Sequence, residues 1–359
     1  MRALRPVPHI NMTQDQQVIQ AVEIRTKEVA ARKRRMALLR TIGLVVGLVV
    51  LLTILNAATH GDFLTPGNIL NVLRQIAVNA ILATGQTFVI ITAGIDLSVG
   101  SLIALTGVLM AGTMQGHPSV VGGLILAILV GLSVGGGAGL VNGWPVVKFG
   151  LPPFITTLAM RLMASGLAFL YTRGQPIEID NQAFNFIGSG FILPSVGHWF
   201  GIPGIPTQVV VMLAVVLVCG YVLTQTRFGR YVYAIGGNEE AARLSGVNVF
   251  GVKLGVYVIS GALAGLASLL LAGHENSGIP QAGQGYELQC IAAVVVGGTS
   301  LMGGRGSISG TFVGALLIGM LYNVMNLLGV QSYAQDVVLG AVILVAVLLD
   351  QLRRQYLAS

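Results

Sequence analysis

The sequence predicts an all-α, polytopic membrane protein with about ten transmembrane helices, and three observations lead there. The chain of 359 residues is 54% hydrophobic and only 9% charged. Its mean hydropathy of +0.81 exceeds what a soluble core needs. Apolar stretches of roughly 18 or more residues recur along it, each long enough to cross a bilayer as a helix. Strand-like alternation is missing, which argues against a β-barrel.

In chain order, the first 40 residues are polar. Thr13 to Arg40 holds good helix formers, with Val18, Val22 and Val29 near helical spacing, and carries Arg32-Lys33-Arg34-Arg35 close to its end. No small-residue cleavage site follows the first span, so this is not read as a secretory signal. A basic stop at the cytoplasmic mouth of span one is the simpler reading; a lipid or protein site is the other. Spans then follow near 41–58, 70–93, 97–115, 119–142, 151–172, 206–225, 250–272, 287–301, 307–328 and 334–351. The chain thus divides into a basic cytoplasmic tail, 1–40, and a transmembrane domain, 41–359.

Lys and Arg orient it. With the tail in the cytoplasm, every basic residue except Arg74, Arg161 and Arg173 falls on the tail's side. That asymmetry obeys the positive-inside rule and places both termini inside. The net charge of +7 is then a topological signal and gives no reason to infer nucleic-acid binding.

The 49 glycines are patterned. Gly131, Gly135, Gly139 and Gly143 recur every fourth residue, as do Gly306, Gly310 and Gly314, while Gly261 and Gly265 repeat the step once. Residues four apart share a helix face, so these stripes predict close helix packing, or a sliding seam. Two Gly-rich breaks interrupt the apolar pattern on the predicted cytoplasmic side. Gly94, Asp96 and Ser98 mark the first; Gly303 and Gly304, followed by Ser307, mark the second. Asp96, Ser98 and Ser307 read as N-caps beside tight turns. Asp96 reads alternatively as a proton-relay carboxylate.

Catalytic chemistry is missing from the pattern. No G-x-x-x-x-G-K-[ST] phosphate loop surrounds Lys27, Lys33, Lys148 or Lys253, and no nucleophile elbow or metal-ligand helix occurs. Cys219 and Cys290 lie in predicted spans and suggest neither a disulfide nor a metal site. No catalytic, cofactor or metal site is expected. If ATP drives this protein, another subunit must hydrolyse it and must dock somewhere.

The docking candidate is a polar island, Thr226 to Gly251. There Asn238 reads as an N-cap, and Glu239 and Glu240 suit the positive end of a helix. Ala241, Ala242, Arg243 and Leu244 extend the helix to a stop at Ser245-Gly246. About two turns are too short to persist alone, so the helix should rest on something. A solvated loop accounts for the charges equally well. Within the spans, Asn79 and Gln86 are seven apart on one face of span two and are the leading pathway candidates. Asn142, Asn323, Thr156, Thr157, Tyr322 and Asn326 are further ones, with interhelical hydrogen bonding the alternative for each.

The segments GIDLSVGSLIALTG (94–107), YTRGQPI (171–177), TRFGRYVYAIGGNEEAARLSGVNV (226–249) and AGQGYELQCIAAVVVGGTSLMGGRGSISGTFVGALLIG (282–319) occur in that order. Through them the chain resembles the membrane permeases of bacterial ABC importers for monosaccharides, the ribose, xylose, galactose and fructose group. The resemblance covers nearly all of the transmembrane region and implies the ABC importer permease fold of the ribose-permease family. It implies that Asn238 to Gly246 is the coupling helix, a variant of the importer EAA loop, with Glu239, Glu240, Ala241, Ala242, Arg243 and Gly246 matching. It further implies an ATP-binding cassette ATPase as a separate subunit, a second permease copy, and a location in the bacterial inner membrane. A periplasmic sugar-binding protein would dock on the long outer loop 173–205, with Arg173, Glu178, Asp180, Phe184, Phe186 and Trp199. An ion-coupled secondary sugar transporter using Asp96 is the competing expectation.

Overall fold

The computed structural model describes residues 49–115, 120–199 and 201–358. The predicted basic tail and its helix lie outside the described residues. The described residues divide into two units, one ending at Leu64 and one beginning at Thr65. In the first, α1 (Val49–Ala58) is the described part of the first predicted span. Asn56 closes the turn behind it, its Oδ1 accepting from the Leu64 N–H at 3.1 Å.

The second unit runs α2 (Pro66–Ile91), α3 (Val99–Met114), α4 (Val120–Phe149), α5 (Pro153–Thr172), β1 (Ile177–Glu178), α6 (Gln182–Ser189), β2 (Phe191–Ile192), α7 (Pro194–Trp199) and β3 (Ile205–Pro206). It continues through α8 (Thr207–Gln225), α9 (Arg227–Gly237), α10 (Glu239–Leu244), α11 (Val249–Glu275), β4 (Ser277–Gly278), α12 (Tyr286–Val296), α13 (Ile308–Leu327) and α14 (Ser332–Ala358). Helices α2, α4, α5, α8, α11 and α13 are long and apolar enough to cross a membrane. Four shorter apolar helices, α1, α3, α12 and the Ser332–Leu348 part of α14, account for the other predicted spans. The fold is that of a polytopic helical membrane protein.

The glycine stripes do the packing. Gly135 and Gly261 lie backbone against backbone, as do Gly131 and Gly265, and Gly139 faces the Tyr257 carbonyl. A Cβ at any of these would strike main chain, which cannot swing aside as a side chain can. Helix α11 is therefore pressed against α4. On its other faces Ser260 sits 3.0 Å from where a Gly85 Cβ would lie on α2, and Ser268 Oγ donates to the Ile103 carbonyl of α3 at 2.7 Å. Gly310 and Gly314 of α13 meet Gly297 and Ala293 in the same manner. Helix α5 is the least enclosed of the six long helices, 22% buried over its apolar window against 89% for α2. Its exposed Leu162, Leu167 and Leu170 suit lipid or a partner subunit.

Two expectations need correction. Span 287–301 is a short helix of 11 residues, α12, too short to cross a bilayer on its own. The chain before it, from Asn276 to Gly285, is non-helical, with Gly283 (φ +75°) and Gly285 (φ +83°) in left-handed conformations. Gly278 packs on Gly107 and Gly283 on Gly100, so this segment runs back along α3, covered by protein as non-helical backbone at membrane depth must be. The polar island holds two helices, because α9 precedes the expected one. Within the predicted outer loop 173–205, β1 pairs antiparallel with β4 and β2 with β3, and α6 packs Gly188 against Gly273.

Candidate functional site

At one end of the second unit, α9 and α10 form an elbow. Thr226 caps α9 and Asn238 caps α10, its Oδ1 accepting from the Ala241 N–H at 2.9 Å. Glu239 then binds Arg243 at 3.1 Å along the helix and Lys253 of α11 at 3.0 Å. Gly246, at φ +82°, ends the helix with its N–H on the Arg243 carbonyl. Ala242 is the buried foot of α10, in an apolar cluster with Val232, Ile235, Val249 and Val252. Leu244, 83% exposed, and Arg243 face outward. The short helix expected to rest on something rests here, with Leu244 and the Glu239-paired Arg243 on its exposed side.

Helix α9 touches the end of α2, just before the first Gly-rich break, and the second break. Gly236, near the C-terminus of α9, fits against the Ile91 carbonyl and the Gly304 backbone. The Gly304 N–H donates to Ile91 O at 2.9 Å, and Tyr233 Oη donates to Gly306 O at 2.8 Å. Gly303 lies beside Ile91, Ala93 and Gly236. Ala93 and Gly303 bring the two breaks into contact with each other beside α9. Ser307 caps α13 as expected, its Oγ accepting from the Gly310 N–H at 3.0 Å.

Asp96 is the hub of the first break. Its Oδ1 accepts from Ser98 N–H at 2.9 Å and Ser98 Oγ at 2.6 Å, and Oδ2 accepts from Ser260 Oγ of α11 at 2.9 Å. Ser98 occupies the N-cap position of α3 without a side-chain cap bond, because its hydroxyl serves Asp96 instead. Asn142 of α4 donates to that Ser98 oxygen at 2.9 Å. Gln86, in the amide orientation that satisfies both partners, brackets the Asp96 backbone at 3.0 and 3.3 Å. Thr157 of α5 donates to the Ile95 carbonyl at 3.1 Å, and Gly94 leaves room for the Tyr257 hydroxyl. Gln86, Asp96, Ser98 and Asn142 therefore form one fully buried knot tying α2, α3, α4 and α11. Asp96→Ala strands three buried donors, each costing about 1–3 kcal/mol. We expect a markedly lower melting temperature in detergent for Asp96→Ala and a smaller loss for Asp96→Asn; an Ala variant as stable as the parent contradicts the knot.

Asn79 and Asn323 lie elsewhere, on a chain of adjoining cavities. The largest, about 500 Å³, is lined by Asn68, Asn71, Arg74, Gln208, Glu275 and Asn323 among others. Asn323 and Asn68 pair through both amides, at 2.8 and 2.9 Å. Tyr286 and Gln75 are shared with a smaller cavity of about 130 Å³, where Asn79, Gln289 and Tyr322 lie. A third, about 270 Å³, lies between α3 and α11 and also reaches Tyr286. Tyr286, at the start of α12, borders all three.

Sequence reasoning missed Tyr286, Gln75, Gln289, Gly236 and an ion pair. Arg161 of α5 meets Glu287 at 2.9 Å, with Glu287 only 2% exposed and seated on the bare Cα of Gly100. An acidic residue inside an apolar run, just after Gly283 and Gly285, was the available signal. Of the outer-loop residues, Arg173, Glu178, Asp180 and Phe186 are exposed, whereas Phe184 is fully buried against α11's end of the core.

The second unit thus joins helices long and apolar enough to cross a membrane, a capped elbow at one end and polar cavities between α2, α12 and α13. The chain belongs to the family described as the permease component of the branched-chain amino acid transport system, whose model matches residues 68–347. It is 46% identical over 311 residues to the ribose import permease protein RbsC of Escherichia coli K12, covering 85% of this chain and 92% of that protein. It is 38% identical to the fructose import permease protein FrcC of Rhizobium meliloti, covering 83% and 81%. The xylose transport system permease protein XylH of Escherichia coli K12 is 37% identical, covering 81% and 86%. No solved structure gives a significant match. The chain is thus a channel-forming permease subunit of an ABC importer, whose ATPase is a separate subunit.

Proposed function

We propose that this chain carries a ribose-type monosaccharide across the bacterial inner membrane, fed by a periplasmic binding protein and powered by a separate ATPase. The observation that carries the reading is the likeness to ribose, fructose and xylose permeases over more than four-fifths of the chain. The positions of α10 and the cavities support it. In this reading two copies form the pore with both termini in the cytoplasm, and Asn238 to Gly246 seats in the ATPase. Closure of the nucleotide domains moves α10; the Gly236–Ile91–Gly304 contact passes that movement to the end of α2 and to the α12–α13 turn. Those same helices wall the cavities, so the sugar path is reshaped where Tyr286 borders it.

The competing ion-coupled reading needs Asp96 on a hydrated route. Asp96 is fully buried and lines none of the three cavities described above. Reconstitution separates the two. Proteoliposomes holding permease, ATPase and binding protein should take up radiolabelled ribose only with ATP on the ATPase side, and protonophores should leave the rate unchanged. Ribose accumulation by the permease alone under a proton or sodium gradient overturns the proposal.

A further inference from the structure

The small cavity at Tyr286 has the chemistry of a ligand site rather than a packing fault. It lies beside the middle of α2 and is partly open, with Gln75 exposed and Tyr286, Gln289 and Tyr322 half-buried. Asn79 is about 20 Å along α2 from Pro66 and about 18 Å from Ile91, at 1.5 Å rise per residue, which is half-way along the helix. Asn79 is 6% exposed, yet its Oδ1 has no hydrogen-bond partner. A buried amide oxygen left empty is uncommon, and here it borders a space of about 130 Å³. The other polar walls are Gln75, Gln289, Tyr286 and Tyr322, and the apolar ones are Ile76, Ile318 and Gly319.

We infer that this cavity is a binding site for one neutral polyol inside the membrane, so that the permease itself selects its cargo. Each amide offers both a donor and an acceptor, matching a sugar's vicinal hydroxyls, which also do both. The two phenol rings and the isoleucines offer apolar surface to the C–H faces of a sugar ring. No charged side chain lines the cavity. A zwitterionic amino acid or a phosphorylated sugar would lose its hydration there without a counter-charge, and is rejected. Charged groups stand outside, where Arg74 and Glu275 line the larger neighbouring cavity. Gln75 and Tyr286 line both cavities.

The inference rests on the monosaccharide reading, and its test separates the two. The complete complex is reconstituted with saturating ribose-binding protein, and ribose delivered per ATP hydrolysed is measured. Asn79→Leu, close to isosteric, should lower that ratio at least tenfold. Tyr322→Phe, which removes one oxygen only, should lower it about threefold, and Asn79→Gln should recover part of the loss. In saturation-transfer NMR on the purified permease in nanodiscs, ribose should give a signal that Asn79→Leu abolishes, whereas ribose 5-phosphate and leucine should give none. Wild-type ratios in both Asn79→Leu and Tyr322→Phe overturn the site while leaving ribose transport intact. Failure of the parent complex to move ribose at all overturns the functional reading, and the site with it.

Discussion

Gly236→Val will disconnect ATP hydrolysis from uptake. A Cβ at residue 236 meets the Ile91 carbonyl and the Gly304 nitrogen, both main-chain atoms already joined by a 2.9 Å hydrogen bond. Nothing there can rotate away, so either α9 lifts off or the bond breaks. Overpacking of this kind costs about 1–3 kcal/mol, and a lost buried hydrogen bond adds about 1 kcal/mol. Because α10 follows α9 after a single residue, Asn238, the lift tilts α10, the proposed ATPase-docking helix, as well. Sugar delivered per ATP should fall at least tenfold while the protein still inserts. Gly237→Ala is the comparison, since open space surrounds that position, and it should transport normally. Equal coupling in Gly236→Val and Gly237→Ala contradicts the relay.

Gly135→Leu should abolish the folded permease altogether. Gly135 and Gly261 touch through their backbones, so any side chain forces α4 and α11 apart along a seam that includes Gly131, Gly139 and Gly265. Association of helices in lipid depends on such close packing, because burial of apolar surface contributes little there. Separation also pulls Asn142 from Ser98 and Ser260 from Asp96, exposing the knot's polar groups. We expect no monodisperse peak on size-exclusion chromatography. Gly137→Leu, on a face with nothing within reach, should behave as the parent. A monodisperse Gly135→Leu protein removes the seam from the account.

What could be read in the chain followed from how directly physics writes it there. The long apolar helices and the glycine stripes were legible because hydropathy and a four-residue period are local patterns, and the α4–α11 seam is the stripes' literal outcome. The cap Asn238 and the stop Gly246 were legible for the same reason, whereas the burial of Ala242 was set by partners on α9 and α11. The short α12 was not legible, because the hydropathy of 287–301 averages across a helix and a turn, and the folded-back 276–285 segment has no period at all. Asn79 and Gln86 share a helix face, yet one borders a cavity and the other clamps Asp96, a difference set by partners on other helices. Tyr286 and Glu287 gained their roles through α3 and α5, far away in sequence.

One measurement tests the central claim, that α10 receives the ATPase and the α6 end receives the sugar carrier. In a chain with Cys219 and Cys290 replaced by alanine, a single cysteine is placed at Leu244 on α10 or at Phe186 on α6, both exposed. Each is loaded with a photo-crosslinker in the reconstituted complex. The Leu244 probe should capture the ATPase and the Phe186 probe the binding protein, neither crossing over. Capture of the binding protein from Leu244, or of the ATPase from Phe186, contradicts the account.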